Sequence, residues 1–497
     1  MSTQHKTPRP AGAHAAAVPR YSVYALVVLA LVNFLNYIDR QVLPAVASSL
    51  LADPELRLTD ADIGFMEMAL LLSFTVLAPL FGRLGDRRPR AKLMAVAAVL
   101  WSIATALTGV VDRAPFIPRD LSLSLPFVDA TLAVSGVALA FCAVRACVGV
   151  GESAYSTITP SLIADYFPPH RRATALGVFQ AAIPMGFALG FVVGGVLAHY
   201  FGWRAAFMIV GVPGMLTAVL VWRLREPRRG ATETEGRQDS ALEELAEGGE
   251  RAARGMAEAG RAGESALRTA WRILKTRDWL ISTAGYTALT AALGAFATWA
   301  IVVLVRDKGM SQTGANVTLG VVTLLAGAAG TFGGGWLSDR VAAKRHNAYF
   351  LVCAVSTLLG VAPTLMVLVA DDPRVYLPCT FLAVALLFTS NAPFHAILLE
   401  SVPVGVRALA VALNIVVIHA CGDAISRALV GVLSDSLKEG HFAALSALAS
   451  LLGIESARQH LTTALLVAPA CLLVSTVLFF IGAKLQKPAA AGPGVEA

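Results

Sequence analysis

Twelve apolar stretches, each of 20 residues or more, follow one another along this 497-residue chain and leave it few possible folds. They cover approximately 22–44, 61–82, 92–111, 131–164, 173–198, 204–223, 279–305, 314–337, 347–370, 376–400, 408–433 and 461–484. A helix of about 20 residues crosses a hydrocarbon core of about 30 Å, where each backbone N–H and C=O must be paired within its own segment. The fold class expected is therefore all-α, a polytopic membrane protein with twelve transmembrane helices. Composition agrees: 56% of residues are hydrophobic and only 15% charged, against about 25% charged in soluble domains.

One short pattern occurs twice, about half the chain apart. Gly82, Asp86 and Arg87 form Gly-x-x-x-Asp-Arg after the second stretch, and Gly335, Asp339 and Arg340 repeat it after the eighth. Each copy sits where an apolar run ends and basic residues follow. The simplest cause is duplication, giving two pseudo-symmetric six-helix bundles. Paired repeats commonly enclose a central site with two alternating gates, so the chain reads as a carrier, and these loop residues as gating contacts.

Alternate loops hold most of the positive charge: Arg87, Arg88, Arg90 and Lys92, then Arg171 and Arg172, then Arg340, Lys344 and Arg345, then Arg407. The positive-inside rule places these loops, and both termini, in the cytoplasm. The net charge of +7 is thus spread over one membrane face and does not point to nucleic acid. The domain reading is a disordered cytoplasmic tail at 1–20, a first bundle at 21–223, a linker at 224–278, a second bundle at 279–485 and a tail at 486–497. The linker begins as a mobile Gly-, Ala-, Glu- and Arg-rich stretch and ends in an amphipathic helix near 265–277, with Leu267, Ala270, Trp271 and Leu274 on one face. Segment 441–452 is a second amphipathic candidate, through Phe442, Leu445, Leu448 and Leu452. The six cysteines fall in or beside apolar runs and read as small buried hydrophobes. Neither a nucleotide-binding Gly-x-x-x-x-Gly-Lys-Ser/Thr loop nor a metal-ligand cluster is present. No enzyme activity and no cofactor are expected.

Ionisable side chains inside membrane helices are costly and default to function. The first stretch carries Asn33, Asn36, Tyr37, Asp39 and Arg40 within an arc of roughly 160° at about 100° per residue. The fourth carries Arg145 and Glu152, seven residues apart and so on one face, about 10 Å apart along the axis. Together they bring a carboxylate pair, Asp39 and Glu152, near Arg40 and Arg145. Such a cluster either couples protonation to shape or is a static buried network. The eleventh stretch holds Asn414, His419, Asp423 and Arg427; the last two, four apart, either neutralise each other or bind cargo. Asn391 and His395 lie in the tenth, His395 reading as a hydrogen-bonded core residue. Glu67 is placed near the outer end of the second, as a gate partner or merely hydrated. Trp299 in the seventh lines the cavity or faces lipid. Gly177, Gly186, Gly190, Gly194 and Gly195 around Pro184 allow close helix packing.

These residues resemble the major facilitator superfamily, and within it the spinster branch, whose animal members carry lysophospholipids and sphingosine-1-phosphate. The resemblance rests on the twin loops, Gly-Trp-Arg at 202–204, NYIDR at 36–40, the run from Arg145 to Gly177, and HACGDAIS at 419–426. It implies the major facilitator fold and proton-gradient-driven transport, with Asp39 and Glu152 in proton coupling and Arg145 as their switching partner. An amphipathic lipid is then expected to meet Arg40, Asn36, Tyr37, Arg145, Trp299, Asn391, His419 and Arg427. The expected setting is a multi-pass protein, monomeric, in a bacterial inner membrane. Arg427 departs from the pattern, because spinster relatives commonly have proline there.

Overall fold

A computed structural model describes residues 19–115, 117–118, 120–124, 131–228, 266–403 and 406–486. Among them, eleven helices are long and apolar enough to cross a membrane. The longest, Pro169–Trp222, breaks at Gly202 (φ 82°, ψ 162°) and supplies two crossings. The chain thus has twelve spans. Span one is Arg20–Ala52, two Asp60–Arg87, three Arg90–Thr108 and four Gly136–Tyr166. Spans five and six are the limbs of Pro169–Trp222. Seven is Arg277–Arg306, eight Gln312–Ala342 and nine Ala348–Val369. Span ten is broken, Pro373–Thr389 then Asn391–Glu400. Span eleven runs Arg407–Val417, a π-helical turn Ile418–Asp423, and Ala424–Lys438; twelve is His460–Ala464 with Val467–Leu485.

Local sequence explains where several spans begin. Thr59 and Asp62 form a reciprocal capping box at the start of span two, the Thr59 N–H donating to Asp62 (2.9 Å) and the Asp62 N–H to Thr59 Oγ1 (3.3 Å). Ser135 and Ser311 accept from the N–H groups of Ala138 and Gly314 at the starts of spans four and eight. Asp372 caps span ten ahead of Pro373. Span four starts later than its apolar run, because Thr131–Ser135 form strand β2, paired antiparallel with β1, Asp120–Ser124. This two-stranded hairpin is the one β element among the described residues.

Within the first half, span one packs on five, two on four, and three on four and six; the second half repeats the plan with spans seven, nine and twelve and with eight, nine and ten. The glycine stripe of span five serves close packing. A Cβ at Gly186 would lie 2.6 Å from Phe34 O, one at Gly190 2.7 Å from Ile38 O, and one at Gly194 2.8 Å from Ala45 Cβ. Gly177, grouped with them by spacing, faces open space.

Residues before 19 and after 486, and all but Arg228 of the expected mobile start of the linker, 228–264, lie outside the described residues. Its end does form a helix, Ala266–Leu274. The buried residue there is Ile273, whereas Trp271 is 59% exposed with Lys275 Nζ 4.9 Å from its ring. The second amphipathic candidate is helical over Ala443–Leu451, but it buries Ala449 and leaves Phe442 and Leu448 exposed.

Candidate functional site: a charged cleft with an apolar extension

The halves meet along spans one, two and five of the first and seven, eight and eleven of the second. At one end Asp60, fully buried, receives both Arg306 Nη1 (3.0 Å) and Nη2 (2.9 Å), Lys438 Nζ (2.9 Å) and Ser434 Oγ (2.7 Å). Asp435 accepts the Ala61 N–H at 2.7 Å, so a residue of span eleven completes the N-terminus of span two. Beside them Gln312 and Asn316 donate to Ala45 O (both 3.0 Å) and Ser49 donates to Gln312 (2.7 Å). At the opposite end, Asp86, Arg87, Asp339 and Arg340 are exposed, Gly82 half-buried, and Arg340 lies 5.3 Å from the Trp336 ring. The buried cation of the first loop is Arg90, which pairs with Asp165 (2.6 Å) and Glu226 (2.8 Å).

Between these ends lies a cavity of about 300 Å³. One side is polar: Tyr37, Arg40 and Gln41 from span one, Glu67 from span two, and His419, Asp423 and Arg427 from span eleven. The rest is mostly apolar, interrupted by Thr290, Thr323, Thr364 and Thr380, with Phe187 and Phe191 from span five and a longer wall from the second half, including Leu293, Phe296, Leu319, Val367, Leu387 and Phe388.

Arg40 Nε donates to Glu152 at 2.5 Å, and its guanidinium lies 4.7 Å from the Phe74 ring centroid and 5.0 Å from that of Tyr37. Glu152 is fully buried. Asp39, one residue along, turns away from the cavity and accepts from Thr105 Oγ1 at 2.6 Å. It still lies in the field of Glu152, Arg145 and Arg40. The carboxylate pair and its arginines therefore share one buried region, but their partners differ from the expected scheme. Arg145 Nη2 donates to Glu67 (3.1 Å), not to Asp39 or Glu152. The other Glu67 oxygen receives Arg427 Nη1 at 2.6 Å, so Glu67 joins the two halves. It is 3% exposed and far from merely hydrated.

Arg427 does not form the neutralising pair that was one of its two alternatives, and it lines the cavity. Rather than pairing with Asp423, it reaches Glu67 and Thr298 (3.0 Å), while Asp423 sits 3.1 Å from His419 Nδ1. His419 and Asp423 both lie in the π-helical turn Ile418–Asp423, and such turns recur at functional sites. Four candidate ligand-binding residues, Arg145, Trp299, Asn391 and Asn36, do not line the cavity; Arg145 is wholly buried against Glu67. Trp299 is wholly buried, its indole N–H donating to Arg427 O at 3.0 Å. Asn391 accepts from Tyr286 OH at 2.7 Å, next to the Tyr286–Phe394 stack. Asn36 is buried with both amide atoms unpaired. His395 is exposed rather than core, 2.7 Å from Asn391 O.

The network is incompletely satisfied. Arg40 Nη2, Arg145 Nε and Nη1, Arg427 Nε, Glu152 Oε1 and Asp39 Oδ1 are buried with no hydrogen-bond partner among the described residues. Unpaired charged groups in a low-dielectric interior are costly and favour capture of a proton, water or ligand. Chemically, the cleft can bind an anion through guanidinium groups and take up protons on carboxylates, next to a wall suited to hydrocarbon.

These features define a class that comparison makes explicit. Residues 29–426 match the family model described as Major Facilitator Superfamily, and the chain belongs to that family: it is a multi-pass membrane transporter, not an enzyme. Within it the chain belongs to the spinster group. It is 30% identical over 455 residues to Protein spinster homolog 3 of Danio rerio, covering 88% of this chain and 82% of that protein. It is 28% identical over 444 residues to a sphingosine-1-phosphate transporter of the same organism, with 85% and 78% covered. Among solved structures, a bacterial homologue of the human lysosomal transporter Spinster, inward-facing and occupied, superposes with a TM-score of 0.73 at 18% identity, covering 95% of this chain and 99% of that one.

Proposed function

We propose that this chain is a proton-coupled secondary transporter that carries amphipathic lipids with an anionic head, of the lysophospholipid or sphingosine-1-phosphate kind, by alternating access. The observation that carries the reading is the two-part cavity, arginines at one side and a long aliphatic and aromatic wall at the other. A phosphate head meets Arg40 and Arg427, and the chain lies along spans seven to ten. Asp39 and Glu152 are the proton-coupling carboxylates. Protonation of Glu152 frees Arg40 for the head, and Asp39 beside it shares the same field. By the positive-inside rule the Arg-rich end, with both termini, faces the cytoplasm, and the Asp60 contacts then join the halves at the outer side. The protein acts as a monomer in a bacterial inner membrane, driven by the proton gradient with no bound cofactor.

Reconstituted proteoliposomes test this directly. Labelled lysophospholipid flux is expected to follow an imposed pH gradient, and Asp39→Asn and Glu152→Gln to abolish that dependence. Retained pH dependence in both variants refutes the coupling assignment. Flux of small organic acids without lipid flux, or equal flux of many lipids regardless of the gradient, refutes the cargo.

A further inference from the structure

Glu67 occupies a place that its own chemistry does not require. One oxygen receives Arg145 from span four and the other receives Arg427 from span eleven, at 3.1 and 2.6 Å. All three side chains are at least nine-tenths buried, and Glu67 and Arg427 line the cavity. Two carboxylate oxygens cannot serve every donor: Arg145 Nε and Nη1 and Arg427 Nε have no hydrogen-bond partner among the described residues. A phosphate monoester has three terminal oxygens in place of two, carries more charge, and suits guanidinium forks.

We propose that Glu67 is an internal occupant of the anion site, which the head of the cargo displaces from Arg427 and Arg145. The inference rests on the anionic-lipid reading above and adds to it a residue that sets apparent affinity. Displacement also has a mechanical effect. Glu67 is the ion-pair link between spans two and eleven at cavity depth, and the same two spans touch at Gly64, where a Cβ would come within 2.6 Å of Arg427 O. A head that takes Arg427 from Glu67 removes that link, so binding and loosening of the halves become one event.

An internal competitor lowers apparent affinity by the fraction of molecules in which the site is free. Glu67→Gln keeps the shape and removes the charge. In the purified full-length protein it is expected to bind oleoyl lysophosphatidate about tenfold more tightly, with binding of uncharged monooleoylglycerol unchanged. Glu67→Asp, too short to reach both arginines, is expected to move in the same direction by less, and it serves if the Gln variant melts early. Arg427→Gln is expected to weaken lysophosphatidate binding about tenfold or more without affecting monooleoylglycerol. Lysophosphatidate binding that stays at the wild-type level or weakens in both Glu67 variants overturns the inference while leaving the lipid reading intact. Absence of lysophosphatidate binding in wild type and variants alike overturns the lipid reading and, with it, the inference.

Discussion

Asp60→Asn is expected to open the end of the molecule that is closed in this structure. The Asp60 carboxylate is fully buried and receives two Arg306 nitrogens, Lys438 and Ser434 across the boundary between halves. Removing one partner of a buried pair typically costs 3–5 kcal/mol. Arg306 and Lys438 are, however, 35% and 41% exposed, and surface pairs are worth under about 1 kcal/mol. An intermediate loss of about 2 kcal/mol is roughly a 30-fold change in the equilibrium between closed and open. A closed state favoured about 99:1 then falls to about 3:1, so about a quarter of molecules open. Spin labels at Glu55 and Glu439, whose side chains are 77% and 71% exposed, in a background without the six native cysteines, report this by electron–electron double resonance. A second, longer distance is expected in Asp60→Asn. Asp62→Asn, which disturbs only the local cap with Thr59, is expected to keep one distance. A single unchanged distribution in a folded Asp60→Asn protein refutes the gating argument.

Gly202→Ala tests the break between spans five and six. With φ at 82° and no atom within 4 Å of where the added methyl would sit, the cost is backbone strain alone, about 1–3 kcal/mol, read as a lower melting temperature with transport retained. Asp53 sets an acid limit. Burial pushes its carboxyl up, but the Trp203 indole, the Glu55 N–H and Arg204 together hold it below the usual 3.8. A depressed folded pKa contributes stability above about pH 4 that is lost as pH falls through the folded value; melting is expected to drop there, and Asp53→Asn to flatten that part of the profile.

Much of the architecture is legible in the sequence because membrane helices depend on local properties. Run length set the spans, whereas the caps at Thr59, Ser135 and Ser311 came to light only in the structure. The β hairpin was also present in the letters, as alternating Leu and Ser in 120–124, but the following apolar run masked its second strand. The site was only half legible. Buried charges on spans one and four stood out by type and spacing. Their partners did not, since Glu67 meets Arg427 only when residues 360 apart in sequence are brought together. The signal for Glu67 was a carboxylate well inside an apolar run. For Arg427, four-residue spacing pointed to Asp423, but its carboxylate partner is Glu67 on another span. Trp299 and Asn391 show the converse: polar atoms in a membrane helix whose partners are structural.

The cavity wall comes mostly from the second half, and this unequal ownership divides the labour of a transport cycle. For the lipid cargo proposed above, a hydrocarbon chain lodged among spans seven to ten would travel as a passenger of one rigid body, keeping its neighbours while the other half rocks. Only the head would change hands between arginines of different halves. Recognition is then strict at the head and permissive along the tail, and lipids of different chain length should share one rate-setting step.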